Sequence, residues 1–325
     1  MIRSFVFSQG NLVSQDVGMD VLRLVLYDEG VQIWADAENP TPEENKMLLE
    51  GVFNFHPLAI EDCIAVSELP KADDYGSYIF MVIHAVDYQQ AGHRFQTAEL
   101  NLFIGKNFLV TVHQDPVRSV STTMDRVLKS APLVARAPDR LTYHLLDALL
   151  ENYTPALEKF SAEIANLENA MLTRPSTDVL GGLQSIKREV QRLRQVVGPQ
   201  REVLSRLAHG EFKIVRAQLM PYYRDLLDHL SRIRDAADNY RDSLTNLLQV
   251  HLNLQQMQIN RVIKILTVLA TLSMPLLIVT SFYGMNISHV PNLSWSWPAG
   301  YATVLGGTLL VTLLLYLCLR RREWL

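Results

Sequence analysis

The sequence of 325 residues has only two cysteines, Cys63 and Cys318, and neither belongs to a Cys-x-x-Cys pair. A disulfide framework and a cysteine-based zinc site are therefore excluded. No HExxH, P-loop or GxSxG motif occurs, and the nine histidines are scattered rather than spaced as metal ligands. We therefore expect that the protein is not an enzyme.

Charged residues are also missing from a long C-terminal stretch. No Asp, Glu, Lys or Arg occurs from Gly284 to Leu319, and the next four residues supply three arginines and one glutamate. This end carries +2, so the net charge of −4 leaves −6 for the rest of the chain. An acidic body argues against nucleic acid as a partner, because phosphates require a basic surface. It suits a protein that handles cations.

Two uncharged apolar runs, residues 265–282 and 298–319, are each close to the roughly 20 residues that span a bilayer. The alternative, two buried core helices, fits poorly because core helices seldom run so far without a charge. Lys and Arg precede the first run and follow the second, whereas the loop at 283–297 has neither. The positive-inside rule then predicts a multi-pass protein of the plasma (inner) membrane, with both termini cytoplasmic and a basic tail at 320–325.

The N-terminal pattern predicts a mixed α/β domain, which we place in the cytosol at residues 1–130. Short apolar runs bounded by turn residues predict strands at 21–27, 31–34, 78–86, 100–104 and 108–112. Thr41-Pro42 followed by two glutamates predicts a helix that ends near residue 53. His56-Pro57 predicts a second helix, which ends near residue 66.

Helical periodicity replaces this pattern after Asp115. It predicts helices over 139–172 and 178–207, separated by Pro175-Ser176-Thr177, and we define residues 131–221 as a cytosolic helical hairpin region. A further helix is expected over 222–282, because neither proline nor glycine occurs between Tyr222 and Met274. At 1.5 Å per residue it is about 90 Å long. The stalk and the first membrane span are therefore predicted to be one helix.

Apolar positions on this helix step alternately by four and three residues from Leu226 to Leu254, and His251 lies among them. This spacing is typical of a coiled-coil seam. Two helices cannot enclose an ion path, so we interpret the membrane continuation of the seam as a pore-lining face that converges with copies of itself. The predicted pore-lining residues are Asn260, Ile263, Leu266, Ala270, Met274, Leu277 and Ser281.

The predicted pore ends in an uncharged polar segment, Tyr283-Gly284-Met285-Asn286. Mg²⁺ dehydrates reluctantly, and the amide oxygen of Asn286 is suited to accept hydrogen bonds from the water around the ion. Rings of Leu266 and Met274 would close the path by dewetting. The alternative is that Gly284 and Asn286 only end the helix.

This segment, placed at the end of the first of two C-terminal spans, resembles the signature of the CorA family of magnesium and cobalt channels. The flanking Met274-Pro275-Leu276 and Val290-Pro291-Asn292-Leu293 agree with it. The resemblance implies an α+β fold: a cytosolic mixed α/β domain, a long helical stalk continuous with the first of two transmembrane helices, and a funnel-shaped homopentamer.

The resemblance also implies the function, which is transport of Mg²⁺, and of Co²⁺ or Ni²⁺, across the membrane into the cytosol. Residues 283–286 would form the selectivity filter in an extracytoplasmic loop at 283–297. The span at 298–319 would lie outside the pore. The family has a cytosolic Mg²⁺-sensing site between subunits, which Glu61, Asp62 and Asp225 resemble. The alternative is that these three are ordinary surface carboxylates.

Two departures from the family pattern keep other functions open. The loop after Asn286 lacks the usual acidic residue, and Leu277 replaces a threonine. A proton-linked Zn²⁺ transporter of the ZntB-like branch is therefore an alternative, to which His251 on the seam also points. A membrane-anchored coiled-coil scaffold without transport is a third hypothesis.

Overall fold

The structure is a computed structural model that describes residues 1–28, 30–65, 69–89, 94–173, 177–284, 299–322 and 324. The chain divides into two compact units, Met1–Leu247 and Leu248–Leu325.

The first unit is built on a seven-stranded mixed sheet of order β2-β1-β3-β7-β6-β5-β4. Its neighbouring strands are antiparallel, except β3 and β7, which run parallel. Residues 79–83 of β5 are all fully buried, because helices cover both faces of the sheet. The strands are β1 (Ile2–Ser8), β2 (Asn11–Gln15), β3 (Val31–Glu38), β4 (Lys71–Asp74), β5 (Tyr78–Gln89), β6 (Arg94–Gly105) and β7 (Phe108–His113).

Three short helices lie on one face: α1 (Met19–Val25), α2 (Pro42–Asn45), which continues as a π-helix at Lys46–Val52, and α3 (Pro57–Ile64). The predicted start of α2 is confirmed, because Thr41 and Glu44 form a complete capping box. Between the π-helix and α3, the ring of Phe55 stacks 4.1 Å from that of Phe103 on β6.

Longer helices cover the other face: α4 (Arg118–Val134), α5 (Pro138–Glu151), α6 (Tyr153–Thr173) and α7 (Thr177–Ala208). Two buried hydrogen bonds attach α6 and α7 to β5. The Tyr153 hydroxyl donates to the His84 carbonyl at 2.9 Å, and the Gln200 side-chain oxygen accepts from the His84 amide at 3.2 Å.

Two predicted elements differ from the structure. The strand expected at 21–27 is wrong, because α1 occupies this segment and buries only Leu22. An apolar run with one inward residue per turn satisfies a helix as well as a strand. The single helix expected over 139–172 is also wrong. It is broken at Asn152, where the chain redirects so that Tyr153 is buried against the sheet.

Two long helices complete the chain, α8 (Met220–Gly284, 65 residues) and α9 (Ala299–Arg321). Each contains a segment long and apolar enough to cross a membrane, and only 6% of that segment is buried in either helix. A core helix of a soluble protein would be mostly buried, so this finding favours membrane spans. The predicted continuity of the stalk with the first span is confirmed.

The stalk part of the seam is buried inside the first unit. Leu226, Leu230 and Leu244 are each at most 1% exposed. Hydrogen bonds from Arg194 to Asp238 and from the Tyr240 hydroxyl to the Leu157 carbonyl join α8 to α7 and α6. This part of the seam therefore packs against the chain's own helices. The coiled-coil spacing of the stalk is thus explained by packing within one chain.

Candidate ion pathway and regulatory carboxylates

The predicted pore-lining face of α8 is uncovered along its whole described length. Ile263, Leu266, Met274 and Leu277 are 55–64% exposed. Large apolar side chains so exposed require another apolar surface or lipid around them. The three smaller or polar members of the face are exposed as well: Asn260, Ala270 and Ser281.

The opposite face of α8 is covered. Val268 is 8% exposed, and Leu272, Pro275 and Val279 are partly buried. At about 100° per residue, these positions lie on the side of the helix away from the predicted pore face. Partly or fully buried residues also recur at helical spacing on α9: Val304, Thr308, Thr312, Leu315 and Leu319.

These two rows of covered residues, one on α8 and one on α9, belong to the same compact unit. The described part of that unit consists of α9 and the second half of α8. We infer that α8 and α9 cover each other along them. The predicted pore face then lies within the larger part of the α8 surface that a single chain leaves free, which also includes Ile265 and Leu269.

Several hydroxyl groups in the first span are satisfied within α8. Thr267, Thr271 and Ser273 each donate to the carbonyl four residues earlier at 2.7–2.8 Å. Such back-bonding leaves no free hydroxyl donor at these positions. At the start of the predicted pore face, the Asn260 side-chain oxygen accepts from the Gln256 amide at 3.0 Å.

Half of the predicted filter falls outside the described residues. Tyr283 and Gly284 form the last residues of α8, whereas Met285 and Asn286 lie beyond the part of the chain that the structure describes. The role of these four residues stays a prediction.

The predicted regulatory carboxylates lie on two elements. Glu61 and Asp62 are on α3, where Glu61 is exposed and Asp62 forms an ion pair of 2.6 Å with Lys71 on β4. Asp225 is exposed on the first turns of α8. No described contact joins Asp225 to the α3 pair within one chain.

The structure adds two carboxylates near Asp225 that the sequence analysis missed. Asp147 and Glu151 are on α5, and Arg126 lies 3.7 Å from the first and 3.0 Å from the second. Burial raises the pKa of Asp147, and the negative charges of Glu151 and Asp225 raise it further. The only sequence signal for this patch was the four-residue spacing of two acids on one helix face.

These carboxylates fit a hard cation such as Mg²⁺ by ligand type. Among the described residues of one chain, however, no group of three or more His, Cys, Asp or Glu side chains is placed to hold a metal ion. In the part of a single chain that the structure describes, these carboxylates therefore do not form a metal centre, and a regulatory role for them stays a prediction.

His251 on α8 is buried, with 2% exposure, and its Nε2 lies 3.1 Å from the Gln255 amide nitrogen. No described hydrogen bond is made by its Nδ1. Because an amide nitrogen only donates, Nε2 is the acceptor in this contact, which places the proton of the neutral ring on Nδ1.

Comparisons with known proteins agree with this layout. The family model described as a CorA-like Mg²⁺ transporter protein matches residues 29–321. The cobalt/magnesium transport protein CorA of Thermotoga maritima is 32% identical over 280 residues, which cover 84% of this chain and 78% of that protein.

Solved structures show the same fold. The complete structure of the CorA magnesium transporter from Methanocaldococcus jannaschii superposes with a TM-score of 0.81 at 20% identity, covering 99% of this chain and 98% of that one. The cytoplasmic domain of ZntB from Vibrio parahaemolyticus has a TM-score of 0.64 at 11% identity, covering 78% and 98%. The predicted fold of the chain is confirmed, and the match to the family model over most of its length shows that it belongs to the CorA-like Mg²⁺ transporters.

Proposed function

We propose that the protein carries Mg²⁺, and also Co²⁺ or Ni²⁺, across the plasma (inner) membrane into the cytosol. The observation that carries this proposal is the asymmetry of the membrane part of α8. One side is covered, while the other exposes Leu266, Met274 and Leu277 in an unbroken row. Similarity to the Thermotoga maritima protein, a cobalt/magnesium transport protein, supports the choice of ions.

The pathway requires several copies of the chain, because one exposed helix face cannot enclose an ion. We propose a funnel-shaped homopentamer in which the exposed faces of five α8 helices surround one axis. Asn286 then provides a ring of amide oxygens at the outer end of the path, to which hydrated Mg²⁺ binds through its water. The termini lie in the cytoplasm, because Arg320 and Arg321 end α9.

We further propose that cytosolic Mg²⁺ gates this assembly. Glu61 and Asp62 of one subunit would lie near Asp225 of the next, together with the Asp147–Glu151 patch that accompanies Asp225. Burial is the main cause of the raised pKa of Asp147, and bound Mg²⁺ would neutralise the repulsion from Glu151 and Asp225 that raises it further. Loss of Mg²⁺ would then favour separation of the acidic surfaces and an open path.

Ion flux into liposomes tests the filter directly. In vesicles loaded with a fluorescent Mg²⁺ indicator, Asn286→Ala should reduce uptake at least about tenfold, because the amide ring is lost. Asn292→Ala is the matched control, since it removes an amide from the same loop, and it should transport normally. Normal uptake by Asn286→Ala would exclude the proposed filter.

A proton-linked Zn²⁺ transporter is the second candidate, favoured by the burial of His251 on the seam of α8 and by the lack of an acidic residue in the loop after Asn286. The two functions differ in their response to a pH gradient. Zn²⁺ flux that is unchanged when the gradient is imposed rejects proton coupling. Zn²⁺ flux that depends on the gradient and is lost in His251→Gln would replace the channel proposal.

A further inference from the structure

The first unit contains a basic pocket of about 300 Å³, apart from the residues discussed above. Its lining includes three arginines, Arg136 just before α5, Arg140 in the first turn of α5, and Arg216 just before α8, together with Gln218, Leu219 and Tyr222. Three guanidinium groups around one pocket contrast with the net charge of −4 of the whole chain.

The only carboxylate in contact with these arginines is already saturated within the described part of the chain. Asp139 is 3% exposed, and its two oxygens accept from the backbone amides of Arg140 and Arg216 and from two nitrogens of the Arg216 side chain at 2.7–3.1 Å. Asp139 therefore neutralises and holds Arg216. It has no remaining capacity for a second arginine.

Arg136 and Arg140 are left with unmatched charge. Neither side chain has a described hydrogen bond or an ion-pair partner among the residues that the structure describes. The positive charge of Arg140 also affects a neighbouring titratable side chain, His144. Burial lowers the pKa of the His144 imidazole, and the charge of Arg140 lowers it further. The pocket also lies at the N-terminal end of α5, where the helix dipole adds positive potential.

Hydrogen bonds hold the backbone on two sides of the pocket. The Tyr223 hydroxyl, which is buried, donates to the Asp139 carbonyl at 2.7 Å and fixes the start of α5 against α8. Arg216 is held at both its backbone and its side chain by Asp139. Arg216 is therefore a preformed donor, which binds an anion without the cost of ordering its side chain.

We propose that this pocket binds a phosphorylated anion through Arg136 and Arg140, with the anchored Arg216 as a third donor. Guanidinium groups donate in pairs to phosphate oxygens, which makes arginine the usual residue for such ligands. The volume corresponds to roughly ten water molecules, enough for one or two phosphate groups. Tyr222, 49% exposed, provides an aromatic surface at the pocket for the base of a nucleotide.

Titration calorimetry of the full chain in detergent tests the proposal. Inorganic phosphate, pyrophosphate, AMP and ATP are titrated at constant ionic strength with EDTA present, so that no divalent cation takes part. We expect saturable binding that chloride does not reproduce. Similar affinity for pyrophosphate and ATP identifies the phosphates alone as the ligand. Tighter ATP binding that is lost in Tyr222→Ala identifies a nucleotide, and both results support the pocket.

The double variant Arg136→Gln/Arg140→Gln should bind about 100-fold more weakly, at about tenfold per guanidinium removed. Lys187→Gln/Arg188→Gln removes the same charge from exposed positions on α7 and should bind as the wild type does. If the double variant fails to fold, Arg136→Gln alone should still weaken binding about tenfold, because this side chain is exposed.

Three results would overturn the proposal. The first is a wild type that responds only to ionic strength, and the second is equal weakening by the control variant. The third is an absence of phosphate binding combined with dissociation of the oligomer in Arg136→Gln/Arg140→Gln. That last result would show that a carboxylate from a second copy fills the pocket.

Discussion

At the scale of single residues, the least ordinary feature of the sheet is a buried ionic pair at the ends of the parallel strands β3 and β7. His113 Nε2 lies 3.2 Å from Asp36 Oδ1, and its Nδ1 lies 2.7 Å from the Asp115 carbonyl. Both neighbours are acceptors, so both ring nitrogens are satisfied as donors when the ring is an imidazolium. The Thr111 hydroxyl donates to the same Asp36 oxygen.

This pair makes stability depend on pH. Burial alone would lower the pKa of His113, but the hydrogen bond and charge of Asp36, with Asp115 and Glu38, raise it overall. The pair therefore stabilises the fold fully below the ordinary histidine pKa, and this contribution is lost as pH rises through the raised value. The thermal midpoint of the full chain in detergent should fall over this range.

The variant His113→Gln should remove that part of the pH dependence. His209→Gln, at an exposed position on the same unit, is the matched control and should keep the wild-type profile. Identical profiles for the wild type and His113→Gln would show that the buried imidazolium contributes nothing.

At the scale of elements, periodicity predicted α8 and the strands β5, β6 and β7 because each carries a long, uniform pattern. β4 carries only one apolar residue, Ala72, and exists through its pairing with β5, so no local signal marks it. The break at Asn152 is likewise set by a distant partner, the His84 carbonyl to which Tyr153 donates. Neither follows from neighbouring sequence.

The candidate site also combines features that the sequence predicts with features that it does not. The periodicity predicts that α8 continues through the first span, but not which of its positions are exposed, because the four-and-three steps beyond Leu254 lead to the covered Val268 and Leu272. The acidic patch is not predicted either, because Asp147 lies near Asp225 only through the packing of α5 near α8. Residues so far apart in sequence share no local pattern that would pair them.

The packing of the stalk seam inside one chain leads to a prediction about α8. Leu230→Ala should lower the free energy of unfolding by about 2–5 kcal/mol, because it leaves a cavity at a fully buried position. Leu128→Ala, at a half-exposed position on α4, should have little effect. Chemical denaturation measures both. The oligomer mass of Leu230→Ala should not change. If this variant dissociates the oligomer while the stability of the subunit is unchanged, the stalk seam is a contact between copies.

At the scale of the whole molecule, the proposed regulation depends on carboxylates from different subunits. Asp62→Ala combined with Asp225→Ala should abolish the protection from protease that Mg²⁺ gives to the assembled protein, because both halves of the site are lost. Asp73→Ala with Asp242→Ala removes two exposed carboxylates of the same unit and should keep that protection. Protection that persists in the first double variant would exclude the site.

The central claim is that the exposed face of α8 meets copies of itself around one axis. Oxidative crosslinking of Met274→Cys tests it most directly, in a Cys318→Ser background because Cys318 is exposed and Cys63 is buried. Val268→Cys, on the covered face of the same helix, is the matched control. We expect disulfide-linked dimers for Met274→Cys and none for Val268→Cys. Dimers from Val268→Cys alone, or from neither variant, would contradict a shared pore.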